Sequence, residues 1–364
     1  MFYITVIMAV GIAIYVSFFM NAVLWCKRNT EGNAYFSRIL SERINLKNKI
    51  AQKAKWVMPL YRLKFKIFPL KQPPFFLYKG VAGPQAASSK EACAKAENYQ
   101  PTRSDIFVAT QMKCGTTWMQ QIVFEILHKG EGDLSDNGYR SMYALSPWIE
   151  GTLGVSLENA PLVSKYQKRI IKTHLPAQLC PYSPEAKYIY VTRHPVSCFV
   201  SIVDFIASSR GPIKINRENY LQWFCSDKMY CMNWAKNVDS WWRLSQRCNN
   251  VIFVHFETMK DDLRSVIEQI ASFLGISLTE NEKIAILEKC SFAYMKKHEY
   301  NFEMLVPTFF SPILESGNCI KSGAKNRYKD ATEVETKRIV EYIKSELKNC
   351  DYPAHKFYPD LALK

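Results

Sequence analysis

Three short stretches of the chain carry side chains that could hold a phosphorylated ligand and move a proton. Gln111-Met112-Lys113-Cys114-Gly115-Thr116-Thr117-Trp118 sets a glycine able to turn tightly beside an ammonium and two hydroxyls. At such a turn, successive backbone N–H groups and the start of a following helix converge on an anion. The spacing G-x-x-x-x-G-K-[ST] of a Walker A loop is absent, and a Lys-Cys-Gly-Thr-Thr segment by itself serves equally well as a plain structural turn. Lys172-Thr173-His174-Leu175-Pro176 places an imidazole two residues after a lysine. An unperturbed pKa of about 6.5 suits an imidazole to general-base work, although a lone histidine at a strand end is more often structural. Val191-Thr192-Arg193-His194-Pro195, with Ser201 eight residues after Arg193, offers a guanidinium fork that matches a phosphate. Ser201 then lies roughly two helical turns along.

These stretches need a scaffold, and the hydrophobic pattern supplies one. Short apolar runs at 104–110, 169–174, 187–192 and 251–256 read as strands. The segments between and after them read as helices: through Ile126, through about Ile206, over 218–247, and over the DDLRSVIEQIASFLG stretch closed by Gly275. Strands alternating with helices predict an α/β fold, a parallel sheet with helices on both faces. Ligands of such sheets sit at the carboxyl ends of the strands, and all three stretches lie at strand ends.

Taken together the motifs resemble those of the sulfotransferases that use 3′-phosphoadenosine-5′-phosphosulfate (PAPS), and most closely the cytosolic branch that acts on small acceptors. The first stretch resembles the family's 5′-phosphosulfate loop, T-Y-P-K-S-G-T-T-W, in Thr110, Lys113, Gly115, Thr116, Thr117 and Trp118, with Cys114 in place of Ser. Arg193, Pro195 and Ser201 resemble the 3′-phosphate motif R-N-P-x-D-x-x-x-S. Lys172 to Pro176 is K-T-H-L-P itself, which implies His174 as general base and Lys172 as a partner of the sulfuryl oxygens. His255 to Asp261 resembles F-Y-E-D-M-K-x-D, with Phe256 where a cofactor-contacting Tyr is usual. Cys290-Ser291-Phe292 resembles T-S-F, which implies that Trp118 and Phe292 flank the adenine. Lys321-Ser322-Gly323 through Lys329 resembles R-K-G-x-x-G-D-W-K, the late loop over the 3′-phosphate, with only Gly323 and Lys329 identical. The resemblance implies a P-loop NTPase-like sheet in one catalytic domain, PAPS as co-substrate and no metal. Tyr143, Trp148, Tyr294, Tyr300, Phe302, Phe309 and Phe310 make the acceptor-lining stretches aromatic, which suits an apolar alcohol, phenol or lipid and suits plain core packing almost as well.

Charge and hydropathy divide the chain further. Residues 2–25 hold no charged side chain and are long enough to cross a bilayer. No cation precedes them and Lys27 and Arg28 follow, the reverse of a signal peptide, so the positive-inside rule predicts a single-pass anchor with the body on the cytoplasmic face. Residues 26–80 carry thirteen lysines and arginines against two glutamates, a net +11 of the chain's +15. The basic character therefore belongs to an arm and not to a nucleic-acid-binding face. That arm, with Leu40, Ile44, Ile50, Trp56, Leu60 and Leu63 at loosely helical spacing, reads either as an amphipathic helix on anionic headgroups or as a solvated linker. The expected units are an anchor at 1–25, a basic arm at 26–75, a catalytic domain at 76–355 and a tail at 356–364. Eleven cysteines without C-x-x-C or zinc spacing read as free thiols in a reducing compartment. Two rival readings stay open: a catalytically decayed, membrane-tethered nucleotide-binding or scaffold protein of the same fold, motivated by Cys114, Phe256 and the altered late loop, and a P-loop kinase, disfavoured by the missing Gly-Lys pair.

Overall fold

The runs DIFVAT, RIIKT, KYIYVT and VIFVH are short, rich in β-branched and aromatic residues, and apolar at successive positions, as strands buried on both faces must be. The computed structural model, which describes residues 2–135, 138–210, 215–311 and 327–363, makes all four into one sheet. In chain order the elements are α1 (Phe2–Thr30), α2 (Leu40–Ile67), β1 (Phe75–Tyr78), β2 (Val81–Pro84), α3 (Lys90–Asn98), β3 (Asp105–Thr110), α4 (Thr116–His128), α5 (Met142–Leu145), β4 (Arg169–Thr173), β5 (Lys187–Thr192), α6 (Pro195–Arg210), α7 (Arg217–Phe224), α8 (Trp234–Ser245), β6 (Val251–His255), α9 (Phe256–Asp261), α10 (Leu263–Phe273), α11 (Glu280–Lys289), α12 (Phe292–Lys297), α13 (Glu333–Leu347) and α14 (Ala354–Phe357).

The sheet order is β4-β3-β5-β6, with every pair parallel. Strand β3 is central: the chain leaves it for β4 on one side and later returns as β5 on the other. This reversal opens a crevice at the carboxyl end of β3, where ligands of open α/β sheets bind. The period of two along each strand sorts the side chains into two layers. Ile106, Val108, Ile189 and Val191 face α4 and α10, whereas Phe107, Ala109, Tyr188 and Tyr190 face α6, α8 and α13. A separate hairpin joins β1 to β2 through Lys79-Gly80, whose φ angles of 47° and 80° are those of a two-residue hairpin turn.

Two local expectations are corrected. The helix read over 218–247 is two helices, α7 and α8, separated by a turn. Cys231 and Met232 take positive φ there, the Cys231 N–H donates to the Ala82 carbonyl at 2.7 Å, and the Asn233 side chain caps α8 by accepting from the Lys236 N–H. A contact with β2 thus breaks a stretch whose periodicity alone favours one helix. The strand read over 251–256 stops at His255, because Phe256 opens α9.

The arm is also more than a tether. Helix α2 buries Arg43, Leu46, Ile50, Ala54 and Val57, a stripe at helical spacing, in the layer that also contains α4 and α10. Of the six apolar residues singled out in the sequence, Ile50 is in this stripe, and Leu40, Ile44, Trp56, Leu60 and Leu63 are exposed on other faces. Arg43 is the clamp. Its guanidinium donates to the carbonyls of Arg38 at 3.0 Å, Tyr300 at 2.8 Å, Phe36 at 3.0 Å and Arg140 at 2.5 Å, so it ties the arm to two distant segments of the body. Helix α1 divides along its length: Ala22, Cys26 and Thr30 are buried against the body, whereas most side chains from Tyr3 to Met20 are exposed and almost wholly apolar.

Removing the clamp leaves buried carbonyls without donors. Arg43→Ala is expected to cost on the order of 3 kcal/mol of stability, read as a lower urea midpoint for the full chain in detergent. Arg43→Lys should recover little, since an ammonium lacks the planar fork. An unchanged midpoint for Arg43→Ala would show that the arm is not held this way.

Candidate functional site

Strand β3 delivers Thr110, and the chain then turns through Gln111 to Gly115 into α4. The turn depends on Gly115, whose φ of 108° is left-handed and where an added Cβ would meet the Phe256 ring at 2.7 Å. Lys113 also takes a positive φ, 65°. The Gln111 side chain donates to the carbonyls of Tyr230 and Met232, at 2.8 and 3.0 Å, and the hydroxyls of Thr110 and Thr116 lie 2.6 Å apart. The loop is therefore pinned at both ends, with its concave side toward a cavity of about 620 Å³.

His174 is the residue directly after β4, beside the end of β3. Its ring Nδ1 lies 2.9 Å from the Thr110 carbonyl. A carbonyl only accepts, so Nδ1 carries the proton and Nε2 keeps its lone pair. Burial holds the imidazole well below its usual pKa, with the nearby Lys172 and Lys113 adding to the effect, so the ring is neutral at neutral pH. Glu150 fixes the backbone here: its Oε1 accepts the His174 N–H at 2.6 Å and its Oε2 accepts the Thr173 hydroxyl at 2.9 Å. Burial raises the Glu150 carboxyl above the usual carboxylate range. Lys172 lies on the same side of β4 as His174, two residues earlier. Its ammonium sits over the Trp148 ring at 4.2 Å and the Tyr143 ring at 5.0 Å, and donates to the Tyr143 hydroxyl at 3.3 Å. Burial lowers Lys172 to about 8 against the opposing pull of Glu150.

Arg193 follows β5 and its guanidinium sits over the Phe256 ring, 4.3 Å from the centre, with one donor 3.5 Å from the Lys113 carbonyl. Trp118 also packs against Phe256, with ring centres 5.6 Å apart and planes at 72°. Trp118 is itself oriented by donating its indole N–H to the Cys290 carbonyl at 2.8 Å. Phe256 thus lacks the phenol that the resemblance implies but forms a shelf under both Arg193 and Gly115.

Of the residues expected at the site, Lys113, Gly115, Thr116, Thr117, Trp118, Lys172, His174, Arg193, Ser201, Phe256 and Phe292 line this one cavity. Cys114 does not. Its thiol is fully buried 3.3 Å from the Cys198 sulfur, and its N–H donates to Gln111. Lys321, Ser322 and Gly323 lie outside the described residues. Tyr143, Trp148, Phe302 and Phe310 line the cavity as the aromatic pattern suggested, whereas Tyr294, Tyr300 and Phe309 do not. The structure adds Phe65 from α2, Asp204 and Arg327. Arg327 pairs with Asp204 at 2.5 Å, one helical turn past Ser201 on α6, and with Asp330 at 3.1 Å. In the sequence Arg327 stands where the late-loop pattern has an acid, so the pattern passed over the one cation of that stretch that the described residues bring to the cavity.

A family model described as a sulfotransferase domain matches residues 103–351. Sulfotransferase 2B1 of Homo sapiens is 31% identical over 256 residues, covering 67% of this chain and 68% of that protein. The 3-alpha-hydroxysteroid sulfotransferase of Cavia porcellus is 29% identical over 286 residues, covering 77% of this chain and 96% of that protein. Among solved structures, mouse sulfotransferase SULT7A1 complexed with PAP superposes with a TM-score of 0.59 at 20% identity, over 78% of this chain and 99% of that one. Retinol dehydratase in complex with retinol and PAP gives 0.57 at 21% identity, over 75% and 89%.

Proposed function

Because the chain belongs to the sulfotransferase family, we propose that it moves a sulfuryl group from PAPS to a hydroxyl or amine of an apolar acceptor, with His174 as the base. One observation carries the assignment: the Nδ1 proton of His174 is committed to the Thr110 carbonyl, at the strand end that feeds the phosphate loop, so a neutral, basic Nε2 is left for the acceptor. The residues present suit the nucleotide. The loop from Lys113 to Thr117 offers a concave turn, an ammonium and hydroxyls. Arg193 meets no carboxylate among the described residues, so most of its five donors remain for a phosphate. Trp118 and Phe292 provide apolar walls for a base, and Arg327, released from Asp204, would add a second fork near Ser201.

When bound, PAPS supplies an activated sulfuryl group with adenosine-3′,5′-bisphosphate as its leaving group. His174 Nε2 takes the acceptor proton as the acceptor oxygen or nitrogen bonds to sulfur. The bond from sulfur to the 5′-phosphate oxygen breaks, and Lys113, Thr116 and Thr117 hold the charge that collects on that oxygen. Lys172, charged and desolvated beside His174, faces the sulfuryl oxygens. Tyr143, Trp148, Phe302 and Phe310 hold the apolar body of the acceptor. The exposed apolar length of helix α1 supports a reading in which it spans a bilayer, and Lys27 and Arg28 after it favour, by the positive-inside rule, a body on the cytoplasmic side. The ten described cysteines are all free, which suits that compartment.

His174→Ala should lower kcat by about 10² to 10⁴ and leave the affinity for adenosine-3′,5′-bisphosphate within twofold; equal loss of both would make the residue structural. In wild type, the acid limb of kcat/KM should lie below the ordinary imidazole value of about 6.5, because rate appears only as His174 loses its proton. An alkaline limb should follow near 8, where Lys172 loses its proton, and should be absent in Lys172→Arg.

The 3′-phosphate tests the nucleotide assignment. Two charge-assisted hydrogen bonds, each on the order of 1.5 kcal/mol or more, amount to about a hundredfold in affinity. Wild type should prefer adenosine-3′,5′-bisphosphate to adenosine-5′-monophosphate by at least that factor, and Arg193→Ala should erase most of the preference. Equal affinities in wild type would end the sulfotransferase mechanism proposed here.

For topology, a glycosylation sequon engineered after Lys364 should stay unmodified, and the protein should remain with membranes in high salt. Efficient glycosylation of that sequon would reverse the orientation.

A further inference from the structure

Helix α2 carries two apolar stripes on neighbouring sides, and they face different surroundings. Val57, Tyr61 and Phe65 turn inward. Phe65 lines the cavity, and Phe310, which also lines it, lies 4.7 Å from the Tyr61 ring and 6.1 Å from the Phe65 ring. Trp56, Leu60, Leu63 and Ile67 form the second stripe, spaced by four, three and four residues as one helical face requires. Trp56, Leu63, Ile67 and the adjoining Phe68 are between 55% and 69% exposed, a degree that single surface apolars reach but a contiguous row of them seldom does.

The setting of this row identifies what covers it. Helix α2 lies against α1: Lys53 sits over the Trp25 ring at 4.9 Å, Tyr61 meets Phe19 at 5.5 Å, and the Tyr15 hydroxyl donates to the Trp56 carbonyl. Lys53 meets Trp25, whereas the later positions Trp56 and Tyr61 meet Tyr15 and Phe19, both nearer the start of α1, so the second half of α2 runs back beside the exposed apolar length of α1. From Lys49 to Lys71 the chain has seven lysines and arginines and no acid. An apolar row flanked only by cations, and continuous with an apolar helix long enough to cross a bilayer, matches the boundary between anionic headgroups and acyl chains.

We propose that the second half of α2 lies in the cytoplasmic headgroup boundary of the bilayer, and that the acceptor is a bilayer-resident amphiphile with a hydroxyl, which passes sideways from the membrane into the cavity past Phe65 and Phe310. The chemical class follows from the path: a polycyclic or long-chain alcohol keeps its apolar body against Phe65, Met304, Val306 and Phe310 while its hydroxyl advances toward His174. Leu63 on the outward row and Phe65 on the cavity wall are only two residues apart, so on this route the acceptor need not enter water. The acceptor route rests on the transfer reading above, but the membrane contact of α2 does not.

The test uses the full chain in phosphatidylcholine–phosphatidylserine vesicles, with cholesterol in the bilayer and 4-nitrophenol in the water as two probe acceptors. The double variant Leu63→Glu/Ile67→Glu, which alters the outward stripe and not the cavity wall, should lower sulfation of cholesterol at least tenfold and leave sulfation of 4-nitrophenol within twofold. Equal loss on both acceptors, or no loss on cholesterol, overturns the proposal. A benzophenone side chain placed at position 63 provides a readout independent of transfer. It should capture radiolabelled phosphatidylcholine on illumination. Capture of no lipid, or only of a second copy of the chain, overturns the proposal even if both acceptors are sulfated. Lipid capture together with no transfer to either acceptor would support the membrane contact and overturn the route along with the transfer reading.

Discussion

The site depends on one hydrogen bond, from His174 Nδ1 to the Thr110 carbonyl. It crosses between the ends of two adjacent parallel strands, β3 and β4, whose register brings Ala109 opposite Thr173 and so sets Thr110 beside His174. Slip that register and the imidazole loses both its tautomer and its place beside the Gly115 turn. The bond also explains why a buried histidine is tolerated. One nitrogen is satisfied by the backbone, the charged form is disfavoured by burial and two neighbouring lysines, and the ring itself lines the cavity. Glu150 reinforces the same corner from behind by accepting from both Thr173 and His174.

The departures of this chain from the usual pattern of its family sort themselves by position in the fold. Cys114 replaces a serine, but its thiol is turned into the core against Cys198, so the exchange does not reach the cavity wall. Phe256 loses a hydroxyl yet still supports Arg193 and limits residue 115 to glycine. Both positions motivated the reading of a decayed enzyme, and in the structure neither disturbs the cluster of Lys113, Lys172, His174 and Arg193. Arg327 brings a guanidinium to the same cavity from a stretch that matches the family poorly. In this arrangement it is neutralised by Asp204 and Asp330, a state that a phosphate near Ser201 would compete with.

The arm joins the membrane question to the chemical one. Arg43 holds it to the body through four carbonyls, and this docking is what carries Phe65 to the cavity wall. A loosely tethered linker would leave the cavity open on that side. The proximity of α1 to α2 therefore makes the proposed anchor and the proposed acceptor pocket parts of one structure, and the proposed exposure to lipid would account for the apolar rows on both.

Local pattern alone determined the four sheet strands, the tight turn at Gly115, the order of the motifs and the long apolar helix at the start of the chain. Each depends on neighbours within a few residues: period-two or continuous apolarity, a glycine where φ must be positive, a span of uncharged residues. Other features were decided by partners far along the chain. The 218–247 stretch breaks because Cys231 meets Ala82 in β2. The proton on His174 is placed by Thr110, across 64 positions of sequence. Which stripe of α2 is buried was beyond its periodicity, since both stripes are apolar; Arg43 and Tyr300, separated by 257 positions, settle it. A helix reports that it has an apolar face, but only the surfaces packed around it determine which face meets protein and which is left for another solvent.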